Sequence, residues 1–346
     1  MKLSKTNARL CAIFASLLLA SPAYSADTVN IYSYRQPSLI KPMLDAFTKK
    51  TGIETQVLFA SKGLEQRILS EGVNSPADVL LTTDVGRLDA AQKMGITQPV
   101  SNEAINAGVP SQFRDEQGNW FGLTMRARVV YASKDRVKQD AITYEELADP
   151  KWKGRLCTRS GQHYYSIGLF ASMIAHMGQE KAETWLRGVK ENLARKPTGN
   201  DRAQVKAIYS GQCDIALGNT YYMGKMETNE KEPEQKAWAK SVRILFPNAQ
   251  ERGTHVNLAG MILAKHAPNK ANAIKLMEFL AGKEAQQLYA TANFEYPLAP
   301  GVSPDAIVAA WGELKADQTP LSKIAKLREA ASEMVDRVAF DDGPGT

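Results

Sequence analysis

Apolar and polar positions at the start of the chain follow a pattern that predicts a β-α-β unit. Thr28–Ser33 is an alternating, β-rich run and predicts a strand. Residues 37–51 carry apolar side chains at helical spacing and end before Gly52, and Ile53–Phe59 predicts the next strand. Two strands joined in this way by a helix form a parallel pair with a right-handed crossover.

The same pattern continues further along the chain. It predicts alternating helices and strands at Leu64–Gly72 (helix), Ala77–Thr82 (buried strand), Asp84–Met94 (helix) and Arg128–Ala132 (strand). No low-complexity tract, tandem repeat or flexible linker interrupts the chain. The fold class is therefore α/β, and if the chain forms two domains, it crosses between them on extended strands.

The first 25 residues have the composition of a secretory signal peptide. Lys2, Lys5 and Arg9 precede the apolar run Leu10–Ala20, and small residues surround a cleavage site after Ser25. The run is too short to cross a bilayer as a mature helix, and no later stretch is long and apolar enough. We therefore expect an exported protein that does not insert into the membrane. The 321 residues that remain are a length that usually divides into two domains.

The formal charge of the mature chain is small. The signal segment holds three of the 43 basic residues and none of the 37 acidic residues, so the remainder carries +3. This weak charge does not indicate a nucleic-acid partner, which normally requires a dense basic stripe. It is compatible with an anionic or carboxylate-bearing ligand.

Two cysteines remain after cleavage, Cys157 and Cys213. In an oxidising compartment an isolated pair suggests one disulfide. The alternative is a pair of buried free thiols, and a thiol titration of the denatured, unreduced protein separates the two.

Two segments of the chain share an order of strand, polar glycine turn, tyrosines and helix. In the first, a strand that begins at Cys157 leads through a turn to Tyr164 and Tyr165. In the second, a strand that begins at Cys213 leads to Tyr221 and Tyr222. Ligands of open α/β sheets bind beyond the carboxyl ends of strands, at helix N-termini. We therefore expect both tyrosine pairs at the ligand-binding edge of one domain.

Clustered phenols suit a hard, highly charged cation. A tyrosine has a pKa near 10 and stays neutral unless something displaces its proton, which Fe³⁺ does on binding. The four histidines are scattered along the chain and soft ligands are missing, so zinc, copper and iron–sulfur sites are poor alternatives. Aromatic packing or a face that stacks on a sugar would also explain adjacent tyrosines, and the residues alone leave these readings open.

Motifs along the whole mature chain resemble those of the periplasmic ferric-ion-binding proteins of bacterial ABC importers. They are YSYRQP (32–37), SPADVLLT (75–82), WFGLTMRAR (120–128), CTRSG (157–161), NLARKP (192–197), GNTYY (218–222), EYP (295–297) and AFD (339–341). The resemblance implies a two-lobed, hinged periplasmic-binding-protein fold of type II-like form, with mixed sheets and helices on both faces. It also implies a monomeric periplasmic protein that captures Fe³⁺ without catalysis and delivers it to an inner-membrane permease.

The resemblance also implies the residues of the site. The iron-ligating tyrosines of the family match Tyr165, Tyr221 and Tyr222, whereas Tyr164 matches no ligand and is expected either to pack or to support the ligands from outside the coordination sphere. Some members of the family add a ligand from the N-terminal lobe, but the corresponding stretch of this chain contains no histidine, and Tyr34 does not match a ligating position. We expect three phenolates, mostly from one lobe.

A synergistic carbonate is common in this family and completes the expected site. The arginine that holds it matches Arg126, and Arg35 and Gln36 on the opposite lobe are expected to face the anion. A guanidinium fork suits a planar dianion. Fe³⁺ with three phenolates is formally neutral and carbonate makes the group −2. Arg126 and a helix N-terminus can offset much of that charge.

The expected lobes are discontinuous in sequence. Residues 26–125 and 253–302 form the first lobe, and residues 126–252 and 303–346 form the second. The expected hinge crossings are Thr124–Arg128 and Thr254–Asn257. Closure about this hinge would bury the iron and present a surface to the permease.

Two other functions are compatible with parts of the sequence. The same fold could bind a small organic anion or a sugar without a metal, with the tyrosines as a stacking face. Alternatively, Ser38 and Lys41 fit the S-x-x-K motif of penicillin-interacting serine enzymes, and a K-T-G motif begins at Lys50. The two motifs are too close together for that family, which separates them by a whole domain. A secreted hydrolase is therefore the weaker alternative.

Overall fold

The computed structural model describes residues 27–345 of the chain. The predicted signal peptide, residues 1–25, lies outside these residues. Among the helices of residues 27–345, none combines the length and the apolar character that crossing a membrane requires.

The described chain alternates strands and helices. Its strands are β1 (Thr28–Ser33), β2 (Glu54–Phe59), β3 (Val79–Thr82), β4 (Phe121–Ser133), β5 (Leu156–Cys157), β6 (Ile215–Asn219), β7 (Val242–Leu245), β8 (Val256–Leu263) and β9 (Tyr296–Pro297). Its α-helices are α1 (Pro37–Thr51), α2 (Leu64–Glu71), α3 (Val85–Lys93), α4 (Glu103–Gly108), α5 (Tyr164–Met177), α6 (Gln179–Glu191), α7 (Asp201–Tyr209), α8 (Tyr221–Glu227), α9 (Glu234–Lys240), α10 (Lys270–Ala281), α11 (Lys283–Asn293), α12 (Ala306–Ala309), α13 (Leu321–Lys326) and α14 (Arg328–Val338). Short 3₁₀ turns lie at Gly72–Asn74, Ser111–Phe113, Glu145–Ala148, Pro150–Trp152 and Phe340–Asp342.

The β1-α1-β2 unit confirms the pattern predicted at the start of the chain. Helix α1 begins at Pro37, whose fixed φ suits the first helical position. It ends at Gly52, which has the left-handed φ of 74° that glycine adopts without strain. Strands β1 and β2 pair in parallel from Thr28 opposite Glu54 to Ser33 opposite Phe59.

The nine strands form one mixed sheet in the order β2-β1-β3-β8-β4-β6-β5, with β7 and β9 also paired to β4. Strand β1 is parallel to β2 and β3, and β5 is parallel to β6. Strand β8 runs antiparallel to both β3 and β4, and β6 runs antiparallel to β4.

Helices cover both faces of the sheet, as predicted. Side chains alternate between the two faces along a strand. On β1 and β3, Ile31 and Val79 pack with Phe47 of α1, whereas Leu80 packs on the other face with Leu88 of α3. Full burial of such a side chain contributes about 1.5–3 kcal/mol to the free energy of unfolding.

Strand β4 joins the two halves of the sheet. Its 13 residues are buried except for the half-buried Met125. It pairs with β8 as far as Ala127, which lies opposite Val256, and with β6 from Arg128, which lies opposite Asn219. This change of partner falls within the predicted crossing at Thr124–Arg128. The strand is longer than the predicted Arg128–Ala132 because Val129, Val130 and Tyr131 favour a strand, whereas the first half contains Gly122 and few β-branched residues.

A disulfide joins Cys157 and Cys213, so the first of the two alternatives for the cysteines is correct. The prediction that Cys157 begins a strand is wrong, because β5 ends at this residue. The chain beyond it leaves the sheet, and its polar backbone groups bond to side chains instead, as at Gly161, whose N–H donates to Asp341. The second strand of the pair, β6, begins two residues after Cys213.

The C-terminal helices lie against both halves of the sheet. Helix α13 packs on α3 and on α5, and α14 packs along α5. At the start of α14, Arg328 donates to the carbonyl of Tyr164 at 3.2 Å and lies 3.5 Å from the carboxylate of Asp84, the N-cap of α3.

Candidate metal centre

The two tyrosine pairs meet at one edge of the sheet, as the sequence predicted. Strands β5 and β6 are parallel neighbours, so their carboxyl ends lie at the same edge. Helix α5 begins at Tyr164 and α8 begins at Tyr221. The hydroxyl oxygens of Tyr165 and Tyr221 are 2.8 Å apart although the residues are 56 positions apart in sequence.

A cavity of about 290 Å³ opens at these tyrosines. It is lined by Tyr34, Arg35, Gln36, Leu39, Thr83, Arg126, Tyr164, Tyr165, Arg202, Tyr221, Tyr222, Lys225, Asn293 and Glu295. All six residues predicted for the site are in this lining. A larger cavity of about 700 Å³ lies between α3, the segment 111–117 and the start of α13, and none of the six lines it.

The rings within each tyrosine pair are in contact, but only Tyr221 and Tyr222 are stacked, whereas Tyr164 and Tyr165 are tilted by 60°. The ring centroids of Tyr221 and Tyr222 are 4.3 Å apart with an interplanar angle of 29°, and those of Tyr164 and Tyr165 are 4.4 Å apart. Tyr165 is buried, whereas Tyr221 and Tyr222 are half-buried. Tyr164, which was not predicted as a ligand, lines the same cavity and packs on the His163 ring at 4.2 Å.

His163 caps the helix that carries Tyr165. Its Nδ1 accepts a hydrogen bond from the backbone N–H of Tyr165 at 3.2 Å. Burial, together with the nearby Arg159, Arg128 and Arg328, lowers the pKa of His163 to about 3. The ring is therefore neutral at physiological pH and free to accept, and the N-terminus of α5 adds partial positive charge to this edge.

The surroundings of Tyr165 and Tyr221 favour the protonated form of both phenols. Burial raises the pKa of Tyr165 well above its usual range, neighbouring Tyr164 and Tyr222 raise it further, and Arg126 acts in the opposite direction. Burial and the neighbouring phenols raise the pKa of Tyr221 in the same way. Two phenolates 2.8 Å apart would repel each other, so ionising both requires a strong positive charge between them.

Arg126 carries a positive charge that no hydrogen bond compensates, although it also favours ionisation of Glu295. It lies on β4, is 2% exposed, and none of its three guanidinium nitrogens has a hydrogen-bond partner among the described residues. Its Cζ is 5.8 Å from the ring centroid of Tyr165. A buried, unpaired cation is costly, so this guanidinium requires an anionic partner at the cavity.

A second basic group lies behind Tyr165. Arg128 and Arg159 both donate to the fully buried carboxylate of Asp201, at 3.0 and 3.1 Å. Their Cζ atoms are 5.9 and 5.2 Å from the ring centroid of Tyr165. Because two guanidinium groups share one carboxylate, the group keeps a net positive charge next to the phenol.

Sequence reasoning missed Asp201 and Arg202 as parts of the site. Asp201 is the first residue of α7, and Asn200 caps this helix. Arg202 lines the cavity, with its Cζ 5.0 Å from the ring centroid of Tyr222. The adjacent Asp-Arg pair at a helix start, close in sequence to the tyrosine turn at 218–222, is the signal that could have indicated them.

Arg35 lines the cavity, and its guanidinium forms an ion pair with the carboxylate of Glu295. Its two terminal nitrogens bond to the two carboxylate oxygens of Glu295 at 2.8 and 3.0 Å. Burial opposes ionisation of Glu295, but Arg35 and Arg126 outweigh it and hold the pKa of this carboxyl below its usual range. Glu295 was not predicted as a site residue, although it lies in the quoted EYP motif. Gln36 is exposed at the N-cap position of α1.

The hydrogen bonds of the Tyr34 hydroxyl are formed within the N-terminal half of the chain. Its hydroxyl donates to Glu65 and accepts from the N–H of Leu64 at 2.8 Å. Burial and the Glu65 hydrogen bond raise the pKa of Tyr34 to about 12. The guanidinium of Arg87 lies 3.6 Å from its ring centroid.

Ser38 and Lys41 lie apart from the cavity. Both are exposed on α1, and the Lys41 amine is 2.7 Å from the carboxylate of Asp45, one turn further along the helix. In residues 27–345 no group of three or more His, Cys, Asp or Glu side chains could hold a metal ion.

Residues 42–316 match the family described as bacterial extracellular solute-binding protein. The chain belongs to this family. The solute-binding protein is 44% identical over 341 residues to iron uptake protein A1 of a Synechocystis species, covering 95% of this chain and 94% of that protein.

Solved structures resemble this solute-binding protein over nearly their whole length. Apo ferric ion-binding protein A of Pasteurella haemolytica is 51% identical and has a TM-score of 0.86, covering 92% of this chain and 99% of that one. A Trichodesmium protein solved in complex with iron and citrate is 42% identical and also has a TM-score of 0.86, covering 90% and 99%. These similarities confirm the two-lobed fold and the predicted resemblance to ferric-ion-binding proteins.

Proposed function

We propose that this protein captures Fe³⁺ in the periplasm with the phenolates of Tyr165, Tyr221 and Tyr222 and delivers it to an ABC-type inner-membrane permease. The observation that carries the proposal is the 2.8 Å contact between two phenols, next to Tyr222 and an unpaired buried guanidinium. Phenolate oxygen is a hard ligand that suits a trivalent cation. The names of the relatives, an iron uptake protein and a ferric ion-binding protein, support the same ligand.

The second part of the proposal is a synergistic anion, carbonate, held by Arg126. The charge of the cavity supports it. Fe³⁺ neutralises three phenolates, so the positive charge of Arg126 and of the Arg128–Arg159–Asp201 group remains to be balanced. Arg35 and Gln36 line the same cavity and would face the anion from the other side. Citrate, present with iron in the Trichodesmium structure, is a second carboxylate-bearing candidate.

The third part concerns the lobes and their motion. The proposed lobes are residues 26–125 with 253–302, and residues 126–252 with 303–346. They would close about Thr124–Arg128 and Thr254–Asn257 and present a closed, monomeric form to the permease. The change of pairing partner on β4 between Ala127 and Arg128 supports this division.

The direct test is titration of the purified, chelator-treated protein with Fe³⁺ in bicarbonate. We expect one equivalent to bind with an orange-red to purple colour, because phenolate-to-iron charge transfer absorbs in the visible range. If instead an organic anion or a sugar stabilises the metal-free protein against heat and Fe³⁺ gives neither colour nor stabilisation, the proposed function is wrong and the metal-free alternative is favoured.

Binding of Fe³⁺ is also expected to release protons. The raised pKa values of Tyr165 and Tyr221 mean that both phenols carry their protons at neutral pH. Three phenolate ligands therefore give about three protons per iron, and the affinity falls as the pH falls because protons compete for the same oxygens. A pH-stat titration in bicarbonate-free solution measures the count. The iron is added as a stable ferric chelate, so that aqueous iron does not hydrolyse, and a separate titration of the free chelator corrects for the protons that it takes up on release. A count below one would contradict phenolate ligation.

A further inference from the structure

The turn Ser160–Gln162 connects β5 to the helix that carries Tyr165. The backbone N–H of His163 donates to the carbonyl of Ser160 at 3.2 Å, and His163 in turn caps the N–H of Tyr165. The position of the Tyr165 phenol therefore depends on where this turn is held.

Asp341, near the C-terminus of the chain, holds the turn with its carboxylate. Its Oδ2 accepts from the hydroxyl of Ser160 at 2.5 Å and from the N–H of Gln162 at 3.4 Å, and its Oδ1 accepts from the N–H of Gly161 at 2.6 Å. Hydrogen bonds to a charged acceptor are roughly twice as strong as neutral ones. The contact joins residues about 180 positions apart in sequence, so local propensity cannot replace it.

Helix α14 also forms hydrogen bonds with the same turn. The Gln162 side-chain amide donates to the carbonyl of Ser332 at 2.9 Å and to Asp336 at 2.8 Å, and it accepts from the Ser332 hydroxyl at 2.7 Å. Gly161 lies so close to the C-terminal segment that an added Cβ would be 2.7 Å from the Phe340 ring. The turn is thus packed and bonded to the C-terminal segment rather than free to move.

The backbone before Asp341 has a conformation that costs free energy. Ala339 has a φ of 50°, in the left-handed region that residues other than glycine rarely adopt. This residue ends α14 and is followed by the 3₁₀ turn Phe340–Asp342, which carries Asp341 back towards α5. Strained positions persist where the surrounding contacts stabilise them, and here those contacts are the bonds of Asp341 to the turn.

We propose that Asp341 is a positioning residue for the ferric site, which fixes the Ser160–Gln162 turn and, through His163, the Tyr165 phenol. The proposal rests on the proposed function, because it assigns a role in holding a ligand of that site. Asp341 does not line the cavity and does not touch the cation. It acts on the site only through the turn.

The test compares Asp341→Ala with Asp342→Ala in the full mature protein. Asp342 is the neighbouring, exposed carboxylate and makes no hydrogen bond to the turn, so it is a matched control for the lost charge. Loss of an outer-shell partner lowers metal affinity by about 10–100-fold, and we expect this loss for Asp341→Ala in competition titrations against EDTA at a fixed bicarbonate concentration. Asp341→Asn keeps one side-chain oxygen that accepts hydrogen bonds, so it should lose less iron affinity than Asp341→Ala.

A purely structural role would lower the melting temperature without changing the bound iron. The distinguishing measurement is the visible charge-transfer band of the fully loaded protein, well below the melting temperature, which we expect to shift in Asp341→Ala and not in Asp342→Ala. Ser160→Ala removes a single bond and should shift the band in the same direction by less. It serves as the test variant if Asp341→Ala does not fold.

The outcomes separate the two proposals. If the wild-type protein binds iron and the Asp341 and Ser160 variants keep its affinity and its band, the role of Asp341 is wrong while the proposed function stands. If the wild-type protein binds no Fe³⁺, the proposed function fails and the role of Asp341 fails with it.

Discussion

Replacing Tyr165 with phenylalanine is expected to weaken Fe³⁺ binding strongly and to shift and reduce the visible band, to which the two remaining phenolates still contribute. The variant removes one phenolate from the first coordination sphere, and a buried cation that loses an anionic partner loses about 3–5 kcal/mol of interaction, or roughly 10²- to 10³-fold in affinity. The ring and its contact with Tyr164 remain. In the metal-free protein the variant breaks the 2.8 Å hydrogen bond between Tyr165 and Tyr221. That bond is worth about 0.5–1.5 kcal/mol of stability, so the fold should survive.

Tyr164→Phe is the matched control for this experiment. Tyr164 is adjacent in sequence and lines the same cavity, and its ring centroid lies 4.4 Å from that of Tyr165. It differs from Tyr165 in not being a proposed ligand. We expect its affinity and its band to stay close to wild type, whereas Tyr221→Phe and Tyr222→Phe should behave like Tyr165→Phe. Equal losses for Tyr164→Phe and Tyr165→Phe would show that the ligand set is assigned incorrectly.

The sequence predicted best those elements whose ends are marked by residues such as proline and glycine. Strand β1 and helix α1 were predicted with their observed bounds because Pro37 and Gly52 mark the helix ends. Strand β4 was predicted only in its second half, because the β-branched and aromatic residues that favour a strand are concentrated there. The end of β5 at Cys157 was missed because the groups that bond the following turn, Asp341 above all, come from the far end of the chain.

The same distinction between local and distant information applies to the site. The tyrosines follow strands directly, and parallel strands end at one edge, so their meeting could be predicted from order alone. Glu295 was not predicted because it meets Arg35 across 260 positions, and no local pattern indicates such a pair. Asp201 was missed for a related reason, since its two arginines lie 73 and 42 positions away.

Charge compensation explains why two arginines at one cavity have different roles. Arg35 is neutralised by Glu295 through a two-bond pair. Arg126 is equally buried but has no hydrogen-bond partner among the described residues. The first arrangement is complete in the metal-free protein, whereas the proposed anion would complete the second.

Arg126→Met is therefore expected to weaken iron binding and to stabilise the metal-free protein. Removing a buried charge also removes its desolvation cost, which is on the order of several kcal/mol per ion. No hydrogen bond within the described residues is broken, although the favourable interaction of Arg126 with ionised Glu295 is lost. Iron binding should lose its dependence on carbonate and citrate and weaken by roughly 10²-fold, the equivalent of about 3 kcal/mol, because one buried charge pair is removed. The measurements are the melting temperature without iron and the Fe³⁺ affinity at graded bicarbonate and citrate.

Arg35→Met is expected to have the opposite effect on the stability of the metal-free protein. It leaves the Glu295 carboxylate buried without its two-bond partner, which costs about 3–5 kcal/mol and should lower the melting temperature of the metal-free protein. The two effects on stability differ in sign because Arg35 is paired with Glu295, whereas Arg126 has no hydrogen-bond partner among the described residues. If Arg126→Met destabilises the metal-free protein as much as Arg35→Met, Arg126 is satisfied without an anion. If the variant also keeps its response to bicarbonate and citrate, the anion is held elsewhere.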